Sequence, residues 1–89
     1  MNFNYWRPAG MFEALMFLYD NPKVTAKTLE KGAFRSPDTY NKKTLILEED
    51  GYIYRFFDKN QKKLVWDLTD KGKKAAKIFR SCEEFHKHS

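Results

Sequence analysis

The stretch RSPDTYNKKTLILEEDGYI, residues 35–53, concentrates the polar chemistry of this chain. Its front half offers Arg35, Ser36, Asp38, Thr39, Asn41, Lys42 and Lys43, and its back half carries Glu48, Glu49 and Asp50. Ser36 followed by Pro37 is a helix start. The serine oxygen can accept an amide that has no partner within the helix, and proline costs nothing where no donor is needed. Free amides at such a start, with cations beside them, favour phosphate. The acids at the far end oppose the helix dipole, at a cost of about a few tenths of a kcal/mol each. One short helix therefore separates its charges end to end, which an ordinary solvated face does not require.

Catalytic constellations are absent from the sequence. The four glycines are scattered, so no glycine-rich phosphate loop is formed. Cys82 has a histidine, His86, four residues on, at the spacing of one helix face. With His88 that makes two or three ligands at the end of a helix, a poor metal site, and a packed thiol beside a tail histidine is the simpler account. The acid pairs Glu48–Glu49 and Glu83–Glu84 fall on helix surfaces with no pocket implied. No enzyme is expected, and nothing in the pattern specifies a cofactor, a metal or a small-molecule effector.

The 89 residues suffice for one domain with a modest core. Eight Phe, five Tyr and two Trp mark a folded chain rather than a disordered one. Seventeen basic residues against twelve acidic ones give a net charge of +5, which suits a polyanionic partner or a basic solvated surface. A lone cysteine excludes an internal disulfide framework and fits a reducing compartment. No signal-peptide pattern is visible, and the apolar run from Met11 to Tyr19 is too short to span a bilayer. A soluble cytoplasmic protein, with no membrane partner, is expected.

Residues 1–7, MNFNYWR, form an aromatic arm that either packs on the domain or orders on binding. Pro8 opens a helix whose Phe12, Leu15, Met16 and Tyr19 follow helical spacing, stopped by DNP at 20–22. Because Met11, Phe17 and Leu18 are added, this helix is apolar nearly all round. Thr25 caps a short second helix closed by Gly32, and Phe34 anchors the connection that follows. The third helix runs from Ser36 to about Asp50 and stops at Gly51. It turns Tyr40, Thr44 and Leu47 inward and Asp38, Thr39, Asn41 and Lys42 away. YIYRFF (52–57) and KLVWDL (63–68) read as a hairpin around the turn DKNQK. Leu64, Trp66 and Leu68 share the inward face of its second strand. Thr69 then caps a last helix with a stripe of Ala75, Phe79, Cys82 and His86, flanked by Ile78 and Phe85.

This order resembles the winged helix-turn-helix fold, an α+β architecture. TLEKGAF is similar to its second helix and turn, SPDTYNKKTLILEEDGYI to its recognition helix entering the wing, and WDLTDKGKKA to the wing's last strand and final helix. LEEDGYI and LTDKG are similar to motifs of archaeal and bacterial regulators of the MarR and PadR kinds. The resemblance divides the chain into an arm at 1–7, a core and wing at 8–68, and a C-terminal helix at 69–89.

It implies a regulator that binds double-stranded DNA, with the front of the third helix in a major groove. Asn41 and Arg35 would then read base edges, since asparagine pairs bidentately with adenine and arginine with guanine. Ser36, Asp38, Thr39, Lys42 and Lys43 lie around them. Lys59, Asn60, Lys62 and Lys63, on a mobile wing tip, would meet the backbone or minor groove. Leu45 and Ile46 depart from the family, in which polar residues are commoner there.

The stripe beyond the core (Phe79, Cys82, Phe85), with Phe17 and Leu18, points to a homodimer; alternatively the arm covers Phe79 and Phe85. Two rival functions remain. The apolar flanks suit a protein–protein docking module, and the wing aromatics could stack single-stranded bases.

Overall fold

Capping side chains fix where the helices begin. Thr25 accepts the amide of Thr28, Ser36 that of Thr39 at 3.2 Å, and Thr69 that of Gly72 at 3.0 Å. The computed structural model describes residues 3–8, 10–34 and 36–88, apart from the side chains of 3 and 83–88. Its elements are α1 (Phe3–Trp6), α2 (Met11–Asp20), β1 (Val24–Thr25), α3 (Ala26–Ala33), α4 (Pro37–Glu49), β2 (Ile53–Asp58), β3 (Lys63–Leu68) and α5 (Asp70–His88). This is the α+β winged-helix order. Helix α2 starts at Met11 rather than Pro8, because Gly10 takes a left-handed φ of 90° that breaks any helix running through it.

The sheet is antiparallel in the order β1–β3–β2. Its register pairs Ile53 with Leu68, Arg55 with Trp66 and Phe57 with Leu64, so these six share one face. Nearest the helices, Ile53, Trp66 and Leu68 are buried. Leu64, expected inward with them, is 58% exposed, as is Phe57. The hairpin outruns the helices that would cover this end of its face. Strand β1, only two residues long, is too short to show a period and was not expected.

Leu15, Leu18, Leu29, Leu47, Ile53, Trp66 and Ala76 centre the core. The aromatic arm closes it from outside. Trp6 is buried and meets Tyr52 and Phe79 edge to face, with ring centroids 4.9 and 5.4 Å apart. Phe12 meets Phe79 in the same way at 4.9 Å. Two residues expected to face a second copy, Leu18 and Phe79, are therefore spent inside this chain's own core. Phe17 is half-buried against Gly32, Cys82 is exposed, and the Phe85 side chain lies outside the described residues. Ile78, which flanks the stripe, is 52% exposed, because Ala75, Ala76 and Phe79 take the inward positions.

Three residues after α4 meet the first turn of α5. The Thr69 hydroxyl donates to the Gly51 carbonyl, the Thr69 amide donates to the Tyr52 carbonyl at 3.0 Å, and Lys71 Nζ reaches the Asp50 carbonyl at 2.8 Å. Tyr5 donates its hydroxyl to the Asp50 carboxylate at 2.8 Å. Burial, then this carboxylate, pushes the Tyr5 phenol above its usual pKa, so it stays a donor. Gly51 holds a left-handed φ of 80° that ends α4. Gly72 lets α5 approach so closely that a β-carbon there would overlap the Tyr52 carbonyl oxygen. Gly72→Ala must push backbone aside. It should lower the urea midpoint by the equivalent of about 1–3 kcal/mol, with the denaturant slope unchanged.

Candidate nucleic-acid interface

Helix α4 is held by one face, and this decides what the other presents. Trp66 Nε1 donates to the Tyr40 hydroxyl at 2.9 Å, tying α4 to the central strand. The Thr44 hydroxyl turns back to the Tyr40 carbonyl at 2.6 Å, and Leu47 is fully buried. Asp38, Asn41, Lys42, Leu45, Ile46 and Glu49 are left as one continuous exposed stripe.

Its polar groups are not equally available. Ser36 Oγ accepts the Thr39 amide and donates to Thr39 Oγ1 at 3.0 Å, so both hydroxyls, half-buried, are committed to the cap. Thr39 faces an open cavity of about 660 Å³ beside Gly10, Glu13, Lys31 and Phe34, between α2, α3 and α4. Asp38 and Lys42 pair at 3.2 Å with both side chains well exposed. Such a pair is worth about 0.3–0.5 kcal/mol and parts easily. Asn41 is exposed, Lys43 half-buried, and Arg35 lies outside the described residues.

The wing turn carries Lys59, Asn60, Lys62 and Lys63, all exposed. Hydrogen bonds shape this turn. The Asp58 carboxylate accepts the Asn60 amide at 3.0 Å and the Gln61 side-chain amide at 2.9 Å. Gln61 also donates to the Lys23 carbonyl at 2.9 Å, which moors the turn to the chain before β1.

Sequence reasoning passed over Arg55. It sits in an apolar run, and only the register with Trp66 shows that it faces α4. Its guanidinium lies 4.8 Å from the Trp66 ring centre. An open groove of about 190 Å³ gathers Arg55 with Asn41, Leu45 and Glu48 over a floor of Tyr40, Thr44 and Trp66. Among the described residues no three potential metal ligands cluster, and no helix is long and apolar enough to cross a membrane.

No protein-family model and no curated protein sequence matches this chain. Its fold is that of winged-helix transcription regulators of the MarR family. It is similar to MepR of Staphylococcus aureus, a transcription regulator of the multidrug efflux pump MepA, at 25% identity and a TM-score of 0.77. That match covers 89% of this chain and 59% of MepR. A single-substitution variant of MepR bound to an oligodeoxyribonucleotide matches at 23% identity and a TM-score of 0.74, over 89% of this chain and 59% of that one. The transcriptional regulator SlyA matches at 25% identity and 0.74, over 89% of this chain and 56% of SlyA. This chain thus spans less than two thirds of the length of the regulators it matches.

The Tyr40–Trp66 hydrogen bond should be what orients α4. Tyr40→Phe keeps the ring but leaves a buried indole N–H without its acceptor. The expected loss is about 1–3 kcal/mol of stability in urea unfolding, with Phe34 and the rest of the core still packed.

Proposed function

We propose that this chain binds double-stranded DNA sequence-specifically, as a transcription regulator, with α4 in the major groove and the wing on the backbone. The observation that carries the reading is the outward stripe of α4, where Asn41 and Lys42 stand clear of the core. A major groove admits one α-helix, and an exposed asparagine on it can pair with adenine. Lys42, Arg55 and the wing lysines supply cations for phosphates, in a chain of net charge +5. Arg35 at the helix start, with Ser36, Asp38, Thr39 and Lys43 near it, completes the contact region. The fold shared with a regulator that binds an oligodeoxyribonucleotide adds support by analogy.

A second reading, a docking module for another protein, draws on Leu45 (54% exposed), Phe57 and Leu64, which are apolar and uncovered. The reading also includes a homodimer. With Phe79 taken by the core, its contact would run along the exposed Ile78 and Cys82 of α5. Two copies would present two α4 helices to one face of DNA and favour a pseudo-palindromic site.

Duplex binding across a salt series separates DNA binding from docking. Asn41→Ala should relax preference at one base position and cost about 1–3 kcal/mol there. Replacing Lys59, Lys62 and Lys63 with Ala should weaken every duplex alike and flatten the salt slope by up to about three units. An unchanged slope removes the wing from the interface. For the dimer, light scattering should give twice the chain mass, and Ile78→Glu should halve it. A wild-type monomer at high micromolar concentration defeats the dimer and its palindromic site.

A further inference from the structure

We propose that Leu45 packs on the C5-methyl group of a thymine, so that Asn41 and Leu45 together read a short A·T step in the major groove. This deepens the DNA-binding reading above and rests on it.

The observation is the composition of α4's outward stripe. It runs Asp38, Asn41, Lys42, Leu45, Ile46, Glu49, and its middle is apolar. Leu45 is 54% exposed and Ile46 36%, although Tyr40, Thr44 and Leu47 already satisfy the core side of this helix. Neither side chain therefore belongs to this chain's interior. Leu45 follows Asn41 by four residues and lies beside it on the same wall of the groove that Arg55 closes.

Lys42 and Lys43 precede Leu45 on α4 and Arg55 stands across the groove, while the acids Glu48, in the groove, and Glu49 lie on the C-terminal side of Leu45. On the DNA-binding reading these cations meet phosphates. The partner that fits presents phosphates at its edges and one apolar group between them. In a DNA major groove the only apolar group on any base edge is the thymine methyl. Asn41 needs an adenine for bidentate pairing, and every adenine brings a thymine opposite it. Residues four apart on a helix lie about 5–6 Å apart, which spans one to two base steps at roughly 3.4 Å each. An asparagine and a leucine at this spacing thus meet an adenine and a nearby methyl without distortion.

The test uses the full chain and the duplex it prefers from a random pool. Each thymine is replaced in turn by deoxyuridine, which keeps base pairing and removes only the methyl. At one or two positions binding should weaken roughly fourfold, the factor that burying one methyl-sized group gives. Leu45→Ala should abolish that response while keeping the salt slope. At the responsive position, a 5-methylcytosine·guanine pair should bind better than a cytosine·guanine pair, separating the methyl from the adenine. Duplex binding with no uracil response at any position, or a response that survives Leu45→Ala, overturns the inference and leaves DNA binding standing. Absence of any duplex binding overturns both and returns Leu45 and Ile46 to protein docking.

Discussion

Three consecutive carbonyls just after α4 and two residues at the start of α5, Thr69 and Lys71, hold this fold in register. The amides of Asp50, Gly51 and Tyr52 turn back to the last carbonyls of α4, which leaves their own carbonyls facing α5. Here Asp50, Gly51 and Tyr52 are answered by Lys71, by the Thr69 hydroxyl and by the Thr69 amide. The clasp fixes the exit of α4, the entry of the wing and the direction of α5 at one point. Gly51 and Gly72 are needed there for different reasons, the first for a backbone angle and the second for a close approach. The charge separation along residues 35–53 is partly explained by the same contact. Asp50 opposes the helix dipole, but Tyr5 donates to its carboxylate and Lys71 to its carbonyl, and Lys71 also lies 4.3 Å from the Tyr52 ring centre.

What was legible in the sequence was what local chemistry decides. Thr25, Ser36 and Thr69 mark helix starts because a capping hydroxyl acts over three residues, and all three do so here. The second strand was bounded at Lys63–Leu68 because β-branched and aromatic residues met turn composition on one side and a cap on the other. What failed depended on partners distant in sequence. A periodic stripe on α5 announces that Phe79 is covered but left two covers open, a second copy or the aromatic arm, and Trp6 of the arm, with Phe12, is the one that meets it. Leu64 alternates correctly with Trp66 and Leu68, yet only the length of the hairpin beyond the helices leaves it exposed. Arg55 became visible as a groove residue only through its register with Trp66.

The candidate site shows the same division. Its location on α4 followed from the helix start and the inward triad of Tyr40, Thr44 and Leu47. The state of its polar groups did not, because hydrogen bonds among neighbours reassign them. Ser36 and Thr39 satisfy each other, and Asp38 holds Lys42. Asn41 remains the exposed neutral hydrogen-bonding side chain of the outward stripe. On a DNA-binding reading, base selection by α4 would then lean on few groups, and the apolar middle of the stripe gains weight.

Rigidity connects these features. Reading a base needs its contacting group held within about half an ångström, whatever its chemistry. Helix α4 is fastened twice, to β3 through Tyr40 and Trp66 and to α5 through the clasp, as the DNA-binding reading would require. The wing is fastened at both ends as well, by the clasp where β2 begins and by Gln61 to Lys23 at its turn. The Gln61 side chain reaches a carbonyl 38 residues back along the chain. Holding the turn costs the side-chain entropy of Gln61, about 1–2 kcal/mol, which its hydrogen bonds to Lys23 and Asp58 offset. The turn sets four polar side chains at one end of the face where Phe57 and Leu64 stand uncovered, and the α4 groove lies further along it. On the DNA-binding reading, Phe57, Leu64 and Leu45 would form an apolar band between the wing lysines and Arg55.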